Sequence, residues 1–279
     1  MDKQFMKKLD TKKIEEKTSF IRQNIIDICV KNKAGHIAPS FSTVEILCSL
    51  YYSIMSISEN PEWDDRDRLV FSKAHGCYAL YAILADIGYV KKEEWENFYI
   101  SSALSGCVER NLYFGIEASC GSLGHGLPIA VGIAFGAKLL KKKYKVYCVV
   151  GDGEMQEGSN WEAVQFAVKH KLDNLFLIID NNGLQAMDFI ENVLTVENRK
   201  DDLLIKLKAF GFDVDMCNGH DIGSILDKIV FLLDNKSALP KALIANTVKG
   251  YGLKCMENIP KFHFRLPTKE ELKLGNRYE

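Results

Sequence analysis

The stretch Val146–Gln185, VYCVVGDGEMQEGSNWEAVQFAVKHKLDNLFLIIDNNGLQ, decides the fold. Val146 to Val150 is a short apolar, β-branched run that stops at Gly151, the pattern of a strand buried on both faces. Asp152 then stands at the carboxyl end of that strand. Leu175 to Ile179 is a second run of the same kind, followed by Asp180, Asn181 and Asn182. Between them Ser159 to His170 carries Trp161, Val164, Phe166 and Val168 with no proline, which predicts a crossover helix. Ligands gather outside the carboxyl ends of such parallel strands. Asp152 and Asn182, thirty positions apart, are therefore expected to face one crevice.

An aspartate and an asparagine are oxygen donors. Mg favours carboxylate, amide and backbone carbonyl oxygens shared with phosphate oxygens, so the pair suits a metal on a diphosphate. Gly151 and Gly153 let the backbone approach a phosphate, and the helix start beyond them offers unpaired N–H groups. Taken alone, Asp-Gly after a strand is also an ordinary turn. GDGEMQEG is not GxGxxG, because Gly158 falls too late, which argues against a nicotinamide site.

GDG followed by an apolar strand and DNN resembles the thiamin diphosphate signature, and the whole segment, including KLDNL at 171–175, resembles the transketolase family. The resemblance implies thiamin diphosphate and Mg as cofactors. Asp152, Asn182 and the backbone carbonyl of Leu184 would hold the metal, and Gly151, Gly153 and Asn182 would lie at the cofactor.

The composition agrees with small-molecule chemistry. In 279 residues, 36 basic and 37 acidic side chains leave a formal net charge of −1, so there is no strong field to attract nucleic acid. Hydrophobic content of 47% and charged content of 26% fit a globular chain with a large core. No apolar run approaches membrane-spanning length, and the lysine-rich start lacks the features of a secretory signal. Eight scattered cysteines, none in C-x-x-C, read as reduced, mostly buried thiols of a cytoplasmic protein.

Along the chain, Thr11 to Val30 has Ile14, Ile21, Ile25 and Ile28 at helical spacing. Gly35 and Pro39 are expected to break the next segment, placing His36 on a loop, with Ser42 capping the following helix and Glu45 completing a capping box. KAGHIAPS resembles the family's G-H-x-G-G-S loop, whose histidine faces substrate, although Ala38 and Pro39 stand where that loop has glycines. DDRDRLVFSKAHG resembles its DRDR-x-x-x-SKGHA block, which assigns His75 to the cofactor diphosphate. GSLGHG at 121–126 resembles GSLGQG, placing Gly121 and Leu123 beside the thiamin, with His125 in place of glutamine. GCVE resembles GHPE, with Cys107 in place of a substrate-binding histidine. The glycines from Gly121 to Ala137 read as sites of close packing or backbone approach.

Asp201 to Phe210 and the segment opened by Asp221 predict helices, and Phe212 to Cys217 and Lys241 to Val248 predict strands. The expected fold is α/β, a parallel twisted sheet with helices on both faces. KFHFRLPTKEELK resembles the family's W-H-G-K-A-P-T, which makes His263 a cofactor or substrate contact before a helix capped by Thr268 and Glu271. Phe262 and Phe264 depart from that pattern.

The resemblance covers about 11–273 but only the diphosphate-binding half of a transketolase. It implies one domain over 1–279, with 1–10 an N-terminal arm expected to be disordered and 255–279 a C-terminal loop and short helix. It also implies a partner chain carrying the pyrimidine domain, two copies of each, and ketol transfer between sugars or sugar phosphates. His36, His75 and His263 would orient hydroxyls and move protons. Glu157 would be a catalytic carboxylate linking two active sites across a dimer, or else a helix-start acid favoured by the dipole. Rival expectations are a 2-oxoacid dehydrogenase α subunit, a deoxyxylulose-phosphate-synthase-like enzyme and a non-catalytic cofactor-binding subunit. The departures at Ala38–Pro39, Cys107 and Phe264 point to a specialised sugar substrate.

Overall fold

The apolar runs pair into one five-stranded sheet: β1 (Arg68–Phe71), β2 (Val146–Gly151), β3 (Leu175–Asn181), β4 (Asp213–Asn218) and β5 (Lys241–Asn246). All pairs are parallel, in the order β1-β2-β3-β5-β4. Every residue of β2 is buried, whereas the edge strand β4 is half-buried along most of its length, as its alternating Asp213 and Asp215 require. This computed structural model describes residues 6–186, 188–194 and 202–275.

Among the described residues, ten α-helices cover the sheet: α1 (Thr11–Asn32), α2 (Ile37–Phe41), α3 (Val44–Ser49), α4 (Cys77–Asp86), α5 (Lys92–Glu96), α6 (Gly126–Leu139), α7 (Gly158–Lys169), α8 (Asp202–Phe210), α9 (Ile222–Asp234) and α10 (Lys269–Gly275). Seven of them form two groups. α6 packs on β1 and β2 and is followed by α7 and α8, while α1, α3 and α4 pack together and reach the sheet through α9 on β4 and β5. The expected α/β architecture is the one observed.

Local chemistry explains most boundaries. Asp10 caps α1 by accepting from Lys13 N–H at 3.0 Å, and Asp221 caps α9 by accepting from Ser224 N–H at 2.9 Å. Thr268 and Glu271 form the expected reciprocal box, each side chain accepting the other's backbone N–H, at 3.2 and 2.8 Å.

The region 35–49 differs from expectation. Pro39 does not end a helix but sits inside the first turn of α2, where its missing N–H has no partner to lose. His36 is the residue preceding that turn. Thr43, not Ser42, precedes α3, and no side chain caps it. Ser42 instead donates to Asp180 at 2.8 Å, and Glu45 pairs with Arg22, so long-range partners displaced the local box. Leu9 N–H donates to Tyr52 O at 2.8 Å and Met6 N–H to Ile57 O at 3.2 Å, which ties 6–10 to the body, while 1–5 lie outside the described residues.

Candidate functional site

Register gathers the chemistry at one end of the sheet. Phe71 is level with Val149, Gly151 with Asp180, and Asn181 with Asn246. The residues that follow these positions, Lys73, Asp152, Asn182 and Lys249, therefore emerge side by side at the carboxyl ends of β1, β2, β3 and β5.

Asp152 is 5% exposed. Its Oδ1 accepts from Gly153 N–H at 2.8 Å and its Oδ2 from Gly183 N–H at 2.6 Å. Burial, then the charge of Asp180, pushes its pKa up to about 7. Asp180 behaves differently: burial opposes its charge, but the adjacent Lys73 ammonium prevails and its pKa is lowered. Asp180 also accepts from Ser42 Oγ at 2.8 Å, from Asn182 Nδ2 at 3.0 Å and from Thr247 Oγ1. Asn182 Oδ1 accepts from Leu184 N–H at 3.0 Å. Lys73 is thus committed to Asp180, leaving Asp152 a buried carboxylate with no cation of its own among the described residues. Together with the amide oxygen of Asn182 and the neighbouring Leu184, this donor set fits a hard divalent cation.

The second cluster is imidazole. His36 and His75 stack at 4.8 Å between centroids, and His263 stands edge-on to both, at 5.4 and 5.2 Å. Close packing sets them there. A Cβ on Gly35 would meet Cys29 Sγ at 2.7 Å, and one on Gly76 would lie 3.0 Å from the Pro39 carbonyl. Burial comes first in lowering all three pKa values, followed by His75 and then Lys249 for His36, which falls to about 4, and by Lys249 for His75 and for His263, which falls to about 3. The three rings are neutral at pH 7.

A hydrogen bond assigns the tautomer of His263. Lys249 Nζ donates to His263 Nδ1 at 3.0 Å, so the ring proton is on Nε2. His36 Nδ1 shares a hydrogen bond with the Tyr78 hydroxyl at 3.3 Å, whose direction follows the His36 tautomer, and that hydroxyl also lies 3.5 Å from the Gly106 carbonyl.

Lys249, which the sequence motifs do not single out, is 2% exposed and also donates to the Gln185 carbonyl at 2.9 Å. Burial and then Lys73 hold its pKa down to about 8. Lys73 is likewise missed by the motifs' histidines, although it lies inside SKAHG. A lysine among apolar residues at a strand end is the signal that could have found both.

The remaining expected residues fall around this centre. A Cβ on Gly153 would meet Gln185 Cβ at 2.9 Å, so only glycine fits the turn. The nearest atoms to a Cβ on Gly151 are those of Lys73, at 3.7 Å and beyond. Cys107 lies against Gly121, with Sγ 3.7 Å from where a Gly121 Cβ would stand, and its carbonyl accepts from Tyr81 O–H at 2.9 Å. Leu123 is 38% exposed at the rim. Phe264 packs edge-on to His36 at 4.8 Å while 65% exposed. Glu157 is not brought to the histidines. It is exposed, precedes α7 and makes no side-chain cap.

The chain is similar to known proteins. Residues 14–274 match the family described as transketolase, thiamine diphosphate binding domain. The chain is 39% identical over 269 residues to an apulose-4-phosphate transketolase subunit of Actinobacillus succinogenes, covering 94% of each chain. It is 33% identical over 260 residues to a 6-deoxy-6-sulfo-D-fructose transketolase subunit of a Clostridium species, covering 92% of each. The crystal structure of Campylobacter jejuni transketolase superposes with a TM-score of 0.85 at 30% identity over 95% of this chain, which spans 42% of that longer protein.

Proposed function

The chain belongs to the transketolase family, in its thiamine diphosphate binding domain, and from that premise we propose that it is the diphosphate-binding subunit of a split transketolase. It would transfer a two-carbon ketol unit from a ketose to an aldose together with a separate pyrimidine-domain subunit, two copies of each. The observation that carries this reading is the meeting, at one sheet end, of the unpaired carboxylate Asp152 with Lys73, Lys249 and three neutral imidazoles. The partner is supported by the relatives, which are named as subunits and match over nearly their full length.

Asp152, Asn182 and the Leu184 carbonyl would hold Mg. Lys249, His75 and His263 would meet the diphosphate, with Gly151 and Gly153 allowing its close approach and Gly121 and Leu123 facing the thiamin. The bound cofactor supplies the nucleophilic carbon that carries the two-carbon unit. His263, with Nε2–H as donor, and His36 would hold one substrate hydroxyl between them and move its proton. Glu157, exposed in the single chain, would be covered when two copies meet. α6 offers an adjoining surface, where Gly132 and Gly136 meet nothing within 4 Å and Ile129 is 38% exposed.

Cys107, Ala38–Pro39 and Phe264 leave the His36 side of the site less polar than the family motif. The substrate would be a modified sugar or sugar phosphate, the kind named for the relatives. The chemistry would take place in the cytoplasm, where eight free thiols stay reduced. Among the described residues no helix is long and apolar enough to cross a membrane.

The test is two-carbon transfer from hydroxypyruvate to a panel of aldoses by the chain mixed with a pyrimidine-domain subunit from the same genome. Activity should need both Mg and thiamin diphosphate, and Asp152→Asn should lower it ~100-fold or more. Full activity without the metal, or in that variant, contradicts the reading.

A further inference from the structure

Glu154 takes no part in the scheme above, yet it is 3% exposed within the turn that follows β2. Its carboxylate joins three separate segments. Oε2 accepts from Gly151 N–H at 3.2 Å, in the glycine turn. Oε1 accepts from Gly124 N–H at 3.1 Å, in the 121–125 loop, and from Ser72 Oγ, at the end of β1. Ser72 Oγ in turn accepts from Gly126 N–H at 3.1 Å, the first residue of α6.

The surrounding backbone leaves little alternative. A Cβ on Gly126 would meet Ser72 at 2.3 Å, and one on Gly124, which has φ +82°, would meet Glu157 Cβ at 2.6 Å. The main chain of the turn is pinned as well, with Asn160 Nδ2 donating to the Glu154 carbonyl at 2.7 Å. Three donors converge on one carboxylate, and among the described residues no lysine or arginine is paired with it. Burial accordingly raises its pKa, while Ser72 and the two N–H groups oppose the rise.

We propose that Glu154 is a positioning residue for the cofactor: its buried carboxylate fixes the distance between the glycine turn at Gly151, the 121–125 loop and the Ser72–Lys73 segment. This rests on the reading of those segments as the diphosphate and thiamin contacts. Without the carboxylate three donors lose their acceptor, and the loops lose their common reference. Each cofactor contact survives, but not at the spacing one molecule requires.

The test compares wild type, Glu154→Ala, Glu154→Gln and Ser72→Ala, each mixed with the pyrimidine-domain subunit. It measures thiamin diphosphate affinity by fluorescence quenching, KM for the cofactor, kcat at saturation and Tm. Glu154→Ala should raise cofactor Kd and KM together by ~10 to 100-fold, the equivalent of a lost charged hydrogen bond, with kcat at saturation within about threefold. Glu154→Gln, which keeps one acceptor but turns an NH₂ toward a second donor, should fall between. Ser72→Ala retains the carboxylate and covers the case in which the glutamate variants do not fold, and should raise KM by ~5-fold or more. A fall in Tm with cofactor affinity unchanged in the folded protein would show a merely structural role and overturn the proposal. Unchanged KM in Ser72→Ala would overturn it as well. A wild-type mixture that binds no cofactor would instead defeat the functional reading on which it rests.

Discussion

Lys249 illustrates what burial does to a single side chain. Its ammonium lies between the Gln185 carbonyl and His263 Nδ1, and burial followed by Lys73 brings its pKa down to about 8. An incoming diphosphate favours the charged form, so cofactor binding at about pH 8.5 should take up a proton. Calorimetry in two buffers of different ionisation enthalpy measures that uptake, which Lys249→Arg should abolish because arginine stays charged. Proton uptake unchanged in the arginine variant contradicts the assignment. The histidines are legible in the sequence because each sits in a short motif. Glu154 is not, because nothing in the local sequence separates a buried, partnered charge from a solvated one, and Lys249 shows only as a lysine among apolar residues at a strand end.

At the scale of elements, strands are legible within a residue or two because apolar runs depend on burial alone. β5 ends at Asn246, two residues before the apolar pattern does, and Thr247 beyond it turns its hydroxyl to Asp180. The 35–49 segment departs from its sequence pattern for the opposite reason. Ser42 and Glu45 have the spacing of a capping box, but Asp180, Arg22 and His220 compete for them from distant parts of the chain. Glu45 Oε1 lies 2.6 Å from Arg22 Nη1, with both side chains nearly inaccessible, and Oε2 is 3.1 Å from His220 Nδ1. His220 Nε2 accepts from Val248 N–H at 2.8 Å, so this network also fixes the residue beside Lys249. Glu45→Gln would leave the Arg22 charge buried and poorly compensated, at a cost of about 3–5 kcal/mol. Chemical denaturation measures it. A loss below about 1 kcal/mol would mean that the pair is replaceable.

For the whole molecule, the three imidazoles bear on acid stability. In the unfolded chain a histidine titrates near 6.5, whereas His36 and His263 are held to about 4 and about 3 by burial first and then by His75 and Lys249 respectively. The unfolded state therefore binds more protons below pH 6.5, and stability contributed in full above that value is lost as pH falls toward 4. Tm should drop across this window, and the double variant His36→Asn with His263→Asn should flatten the drop. An equally steep drop in the double variant contradicts the neutral-imidazole description. The overall architecture is legible because alternating apolar strands and helices admit few arrangements. The partner is legible only through the family resemblance, since no local pattern encodes a second chain.

If this chain supplies one half of an active site, neither half should turn over without the other. The most direct measurement is the rate of two-carbon transfer at saturating Mg and thiamin diphosphate, for this chain by itself, for the isolated pyrimidine-domain subunit, and for their mixture. Turnover only in the mixture, saturating at equal amounts of the two chains, is the predicted result. Full turnover by this chain by itself, or none in a mixture that binds cofactor, would contradict it.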